Sequence, residues 1–255
     1  MTPLRVAYLG LVYGFLYLPI AVLIVYSFNA SKYSLAWKGF TLDWYASLLD
    51  NAALLRVAMN SLILAAAAAT LATVLGTLGA VALYRYRFFG RQLLNGLIVV
   101  LILSPDIVMG ISLLILFVSL GVGLGFWTLL AAHVTFCLPF VAVTVAGRLR
   151  GFDPHLIEAA RDLGAGELRI FRQILLPLLG PAVAAGWLLA FTLSLDDVIV
   201  SFFVTGPGFE ILPLRIYSMV RLGVKPEINA LCTIMIAATL LLVVIAQRLL
   251  RERNS

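Results

Sequence analysis

Apolar side chains dominate this chain in long blocks separated by short polar segments. The blocks cover residues 6–28, 57–83, 93–120, 126–147, 178–200 and 228–247. Each reaches the length of about 20 apolar residues that a bilayer crossing needs. The pattern predicts six membrane-spanning helices in an all-α membrane protein of one domain, residues 1–255, with its core at about 57–250. The third block is the least regular, because Ser104-Pro105-Asp106 interrupts it. The first is read as a retained helix rather than a cleaved leader. It is longer than a leader's apolar core, and no small-x-small cleavage site precedes Asn29.

Composition agrees with the blocks. Charged residues make up 12% of the chain and hydrophobic residues 63%, with a mean hydropathy of +1.08. A soluble chain carries about 25% charged residues. No soluble core buries so much apolar surface, so the solvent is lipid. Cys137 and Cys232 both fall inside blocks. They read as small apolar side chains, with neither a disulfide framework nor metal spacing. Nothing near His133 or His155 in the sequence completes a metal site or a nucleophile pair.

The net charge of +6 would suit nucleic acid, but its distribution points elsewhere. With the N-terminus in the cytoplasm, the inner segments carry Arg5, Arg85, Arg87, Arg91, Arg148, Arg150, Arg161, Arg169, Arg172, Arg248, Arg251 and Arg253. The outer segments carry only Lys32, Lys38, Arg56, Arg215, Arg221 and Lys225. Short inner loops dense in Arg follow the positive-inside rule. Both termini are then cytoplasmic, and contact with lipid headgroups is a by-product.

The polar stretch 158–177, EAARDLGAGELRIFRQILLP, therefore lies inside. Asp153 can cap a helix and Pro154 suits its first position. Leu156, Ile157, Ala160 and Leu163 recur at helical spacing. Gly164 is placed to end that helix with a left-handed residue, and Gly166 to begin the next. Leu168, Phe171, Leu175 and Leu178 are expected to share one face, and Pro177 to mark entry into the fifth span. The product is a helix–turn–helix at the inner membrane surface, which by periodicity alone need only connect two spans.

Its residue pattern says more. Glu158-Ala159-Ala160, then Gly164, then Ile174-x-Leu176-Pro177 resembles the EAA loop of permease subunits of binding-protein-dependent ABC importers. The resemblance implies that residues 153–177 form a coupling loop docking into a partner ATPase, with Glu158, Ala159, Ala160, Asp162, Gly164, Ile174, Leu176 and Pro177 in the contact. Ala159 and Ala160 would allow close approach, and Glu158 would offer a carboxylate. The chain has no GxxxxGK[ST] stretch. ATP and magnesium are thus expected on another polypeptide, with no cofactor and no catalysis in this one.

Further stretches, including ALYRYRF, LSPDIVMGISLL, HVTFCLPFV and FTLSLDDVIVSFFVTGPGFEILPLRIYSMVRLG, resemble the C-type permease of spermidine/putrescine importers over nearly the whole chain. That resemblance implies the type I importer permease fold in a bacterial inner membrane. It also implies a homologous second permease, two ATP-binding cassette subunits and a periplasmic polyamine-binding protein as partners. Relatives that carry only putrescine share much of the sequence, so the preferred polyamine stays open.

Carboxylates within spans are costly and mark ion or substrate paths. Asp106 lies about 10 to 13 residues into its helix, near mid-membrane at a rise of about 1.5 Å per residue. Asp196 and Asp197 stand near the outer end of the fifth span. As neighbours on one helix they would diverge by about 100°, so Asp196 is favoured for the path. Helix capping, or pairing with Arg215 and Arg221, is the structural alternative for all three. Tyr217 is a candidate aromatic wall or outer gate for a cation, or an interfacial belt residue. The outer segments are 29–56, with Trp37, Trp44 and Tyr45 placed to lie on the outer surface and receive the binding protein, and 201–227, in which Gly206-Pro207-Gly208 reads as a turn.

Two rivals remain. A secondary transporter would use Asp106 and Asp196 for protons or sodium but leaves the EAA pattern unexplained. A structural subunit of another membrane complex would need neither.

Overall fold

The computed structural model describes residues 3–31, 36–153, 155–221 and 226–252. Pro154, Lys32, Lys225 and Arg253 lie outside them. The described residues form helices and no strand, with two isolated β-bridges, Asn29 to Phe40 and Gly206 to Phe209. The second closes the turn expected at Gly206-Pro207-Gly208.

In chain order the helices are α1 (Pro3–Tyr26), α2 (Asp43–Asp50), α3 (Ala52–Arg85), α4 (Arg91–Leu103), α5 (Asp106–Ser119), α6 (Phe126–Leu149), α7 (His155–Asp162) and α8 (Glu167–Ile170). A π-helical turn, Phe171–Leu175, leads into α9 (Leu176–Asp196), followed by α10 (Ile199–Val204), α11 (Leu212–Arg221) and α12 (Pro226–Glu252). Among the described residues four stretches are long and apolar enough to cross a membrane: Arg5–Tyr26, Ala52–Arg85, Phe126–Leu149 and Glu167–Asp196. The pair α4 and α5 makes a fifth if counted as one bent span. Residues 226–241 form a shorter apolar helix.

The packing divides into two compact units. One comprises residues 1–58 and 214–255. In it α12 packs on α1 and α2. Asn29 organises the segment after α1, its Oδ1 accepting the backbone N–H of Ser31 and of Lys38. The Trp44 indole donates to the Asn29 carbonyl at 2.8 Å.

The other unit, residues 59–213, carries the main core. Its centre is the α6–α9 pair. Ala65, Ala69 and Ala72 of α3 recur at spacings of four and three, placing small side chains on one face. They meet Val141, Val145 and Leu149 of α6 and Leu179 and Ala190 of α9, all buried. Small residues let helices approach closely where lipid removes the usual hydrophobic drive. Elsewhere α5 packs on α10, at Gly110. A Cβ there would lie 2.7 Å from Phe203 Cδ2 and 3.3 Å from the Val200 Cα, so only glycine fits.

The interruption read at Ser104-Pro105-Asp106 is a break: α4 and α5 bend by 116° there, and Asp106 opens α5 instead of lying about 10 to 13 residues into one helix. Pro105 has no N–H for α4 and disfavours helical geometry at Ser104, which is extended. Two further expectations are corrected. The fifth helix does not reach residue 200. It ends at Asp196, and Asp197 is extended, with φ −67° and ψ 125°. Asp196 and Asp197 are therefore not neighbours on one helix.

The apolar face of 168–178 is also different. Ile170, Leu175 and Leu179 are fully buried, while Leu168 and Leu178 are exposed. The π turn holds more residues per turn than an α-helix, which rotates everything after it out of the 3.6-residue register. It also widens the helix ahead of Pro177, which lacks an N–H and would crowd the preceding turn.

Candidate functional site

The hairpin of α7 and α8 is built locally. Asp153 Oδ1 accepts the N–H of His155 at 3.0 Å, opening α7. Gly164 has φ +77°, the left-handed conformation that closes a helix without Cβ strain. Its N–H donates to Arg161 O at 2.8 Å, and Ala165 N–H to Ala160 O at 2.9 Å. This is the Schellman arrangement, which satisfies the last carbonyls of α7. Ile157 and Ala160 face the core. Glu158, Ala159, Asp162 and Leu163 face outward, Leu163 with 88% exposure. Ala160 is thus packed within this chain, at 8% exposure, while the other motif residues of α7 face outward.

Beside the turn lies an open groove of about 690 Å³, lined by Gly164, Gly166, Leu168, Arg169, Arg172 and Gln173. Of the later motif residues, Ile174 is half-buried against the core, while Leu176 and Pro177 are exposed. The geometry brings Glu158, Ala159, Asp162 and Gly164 together on one hairpin and leaves Leu176 and Pro177 at the start of α9.

Glu167, which no motif marks, ties this hairpin to the end of α3. Arg161 Nη2 donates to its Oε1 at 2.9 Å, and the Tyr86 hydroxyl donates to its Oε2 at 2.9 Å. Arg85 Nη2 lies 2.6 Å from the same Oε2, an ion pair whose angle is not that of a hydrogen bond. The hydrogen bond to Glu167 holds the Tyr86 phenol above its ordinary pKa, with partial desolvation adding to it. The signal in the sequence was the Arg-rich inner loops, whose cations need a carboxylate.

The three carboxylates singled out for a path fall in the same unit and differ in state. Asp106 is the first residue of α5, just past the 116° bend, where its charge suits the helix N-terminus. Asp196 is the last residue of α9. Both side chains are exposed and make no hydrogen bond or ion pair among the described residues. Asp197 is engaged: its Oδ1 accepts the N–H of Val200 at 3.2 Å and its Oδ2 that of Ser201 at 2.7 Å. It caps α10. Tyr217 belongs to the other unit. Its ring is 39% exposed, and the Arg221 guanidinium sits 4.7 Å from the ring centroid. Among the described residues no group of three or more His, Cys, Asp or Glu is placed to hold a metal ion.

The family model for the inner membrane component of binding-protein-dependent transport systems matches residues 72–255. The chain belongs to this family. It is a transport component of the inner membrane and not an enzyme. This permease is 56% identical over 251 residues to the spermidine/putrescine transport system permease protein PotC of Escherichia coli K12, covering 98% of this chain and 95% of that one. It is 46% identical to the putrescine transport system permease protein PotI of the same organism, covering 93% and 87%. Its fold is that of a chain in the crystal structure of a bacterial ABC transporter involved in the import of the acidic polysaccharide alginate. There the TM-score is 0.76 at 16% identity, over 98% of this chain and 95% of that one.

Proposed function

We propose that the permease forms half of the translocation path of an ATP-driven importer for polyamines, spermidine or putrescine, in a bacterial inner membrane. The observation that carries this reading is the 56% identity to a spermidine/putrescine permease over nearly the full chain. A homologous second permease completes the path. Two ATP-binding cassette subunits bind ATP and magnesium, and a periplasmic binding protein delivers the polyamine. The segment 29–56 with Trp37, Trp44 and Tyr45 receives that protein. In this reading the chain is one permease domain with six spans of the type I importer fold. The four long apolar stretches, the bent α4–α5 pair and α12 make up the six, and both termini are cytoplasmic.

The exposed side of the hairpin, Glu158, Ala159, Asp162 and Leu163, docks on the ATPase, with Gly164 setting its angle. Ile174, Leu176 and Pro177 carry the movement into α9, and Glu167 carries it into α3. Nucleotide-driven closure of the ATPase pair moves the hairpin and turns the path outward. Hydrolysis then returns it inward.

Asp106 and Asp196 supply spaced anions for the ammonium groups of a linear polyamine. Their carboxylates are unpaired within the described chain and stand at two helix breaks, where non-helical backbone at membrane depth is tolerated because it lines a cavity. Asp197 serves the path indirectly, as the cap of α10. Tyr217 offers an aromatic wall near the outer face.

Reconstitution tests the whole reading. Proteoliposomes with both permeases, the ATPase and loaded binding protein should accumulate labelled spermidine or putrescine only when ATP is on the ATPase side. A complex that assembles, hydrolyses ATP in response to the binding protein and accumulates neither polyamine would overturn it.

A further inference from the structure

We propose that His133 is a positioning residue: it splints the break between α9 and α10 and thereby fixes the carboxylate of Asp196. The inference rests on the reading that Asp196 lines the substrate path.

His133 stands on α6 and is completely buried. Its Nδ1 lies 2.7 Å from the Ser194 hydroxyl, in the last turn of α9. Its Nε2 lies 2.9 Å from the Ser201 hydroxyl, in the first turn of α10. One ring therefore holds both sides of the break at Asp197. A neutral imidazole has one donor and one acceptor nitrogen, and a hydroxyl can serve either. Both ring nitrogens are occupied by these hydroxyls, so none is left for a metal or a substrate. The Phe136 ring meets the imidazole edge-on at 5.2 Å and fixes its plane. A second latch lies five positions earlier on α6, where the Thr128 hydroxyl is within 2.9 Å of the Val204 carbonyl. The short helix α10 is thus fastened to α6 at both ends and capped by Asp197, whose Oδ2 is 3.7 Å from His133 Nε2.

A buried imidazole and two buried hydroxyls are costly in an apolar surrounding unless they satisfy one another. Filling space would not require a histidine. The arrangement has a directional effect instead. Ser194 is two residues before Asp196, about 200° away around the helix. The bond that draws Ser194 toward α6 turns Asp196 away from it, and Asp196 is exposed while Ser194 is buried. Without the splint, α10 keeps its latch at Val204 and its packing on α5, but the near side of the break is released from α6 and Asp196 loses a fixed direction.

The test uses the full complex in proteoliposomes, with His133→Leu, the pair Ser194→Ala and Ser201→Ala, and the triple variant. Leu keeps most of the volume and removes both hydrogen bonds. The complex should assemble and keep ATP turnover stimulated by the binding protein, while polyamine delivered per ATP falls by roughly tenfold. The serine pair should give the same loss, and the triple variant no more, because one interaction is removed in each case. Wild-type delivery per ATP in His133→Leu, or losses that multiply in the triple variant, would overturn the splint. If His133→Leu does not assemble, the serine pair decides by the same criterion.

A second readout needs no transport. Spin labels at Thr192 and Phe202, both exposed and on either side of the break, should report a narrow distance distribution in the parent and a broad one in His133→Leu. Equal widths contradict the splint even if transport fails. A broad distribution in His133→Leu, where the parent complex itself carries no polyamine, leaves the splint standing and removes the transport reading.

Discussion

Arg85 and Glu167 meet 2.6 Å apart at the C-terminal end of α3, although 81 residues lie between them in sequence. The arginine side chain is 6% exposed and the glutamate 51% exposed, so a nearly buried cation is matched by a carboxylate reaching from the hairpin. Exposed ion pairs contribute little to stability, but a carboxylate shared by Arg85, Tyr86 and Arg161 fixes one element against another. Glu167→Gln should leave the complex assembled and lower transport per ATP hydrolysed. Unchanged coupling in that variant would leave Glu167 with no part in transmission.

Asp106→Asn removes a charge and keeps the shape. Initial polyamine uptake should fall at least tenfold, with the complex intact and the ATPase still responsive to the binding protein. Such a factor corresponds to about 1.4 kcal/mol of lost interaction with the moving cation. Wild-type uptake rates would remove Asp106 from the path.

Asp196 and Asp197 should separate cleanly. Asp196→Asn should reduce uptake without altering thermal stability, since the side chain has no partner among the described residues. Asp197→Ala deletes two hydrogen bonds to the start of α10 and should cost about 1 kcal/mol, visible as a lower melting temperature of the purified complex. The reverse pattern would exchange their roles.

At Gly164, φ is +77°. A valine there meets steric cost of about 1–2 kcal/mol and would reorient the hairpin. Gly164→Val should therefore allow ATP hydrolysis while abolishing its link to uptake, read as polyamine accumulated per phosphate released. A normal ratio would contradict the docking role.

Leu163→Cys provides a direct test of what the hairpin touches. A short bifunctional reagent should join it to the ATPase subunit in the working complex. Products confined to lipid or to the same chain would dissolve the coupling account.

Much of this architecture was legible in the residues. The long apolar blocks match α1, α3, α6, α9 and α12, because membrane helices announce themselves by length and hydropathy alone. Gly164 was readable as the hairpin's left-handed turn, since few other positions in 158–177 tolerate it. The rest depended on contacts between distant residues. Nothing local in Asp196-Asp197-Val198-Ile199 warns of a break, with no Pro or Gly to mark it. The break is capped by Asp197 and bridged by His133, which lies more than 60 positions away in sequence. The π turn at Phe171–Leu175 has no compositional mark either, so the face assigned to Leu168 and Leu178 came out rotated. Glu167 is one charge among several in its own segment, and its partners Arg85, the last residue of α3, and Tyr86 just beyond it are distant in sequence.

The outward Leu163, at 88% exposure, has Leu156 and Leu168 uncovered near it. The hairpin of the chain alone thus carries an apolar edge with nothing over it, the kind of surface that is adhesive until something covers it. On the docking reading, covering that edge is the part of the contact that holds whatever nucleotide is bound.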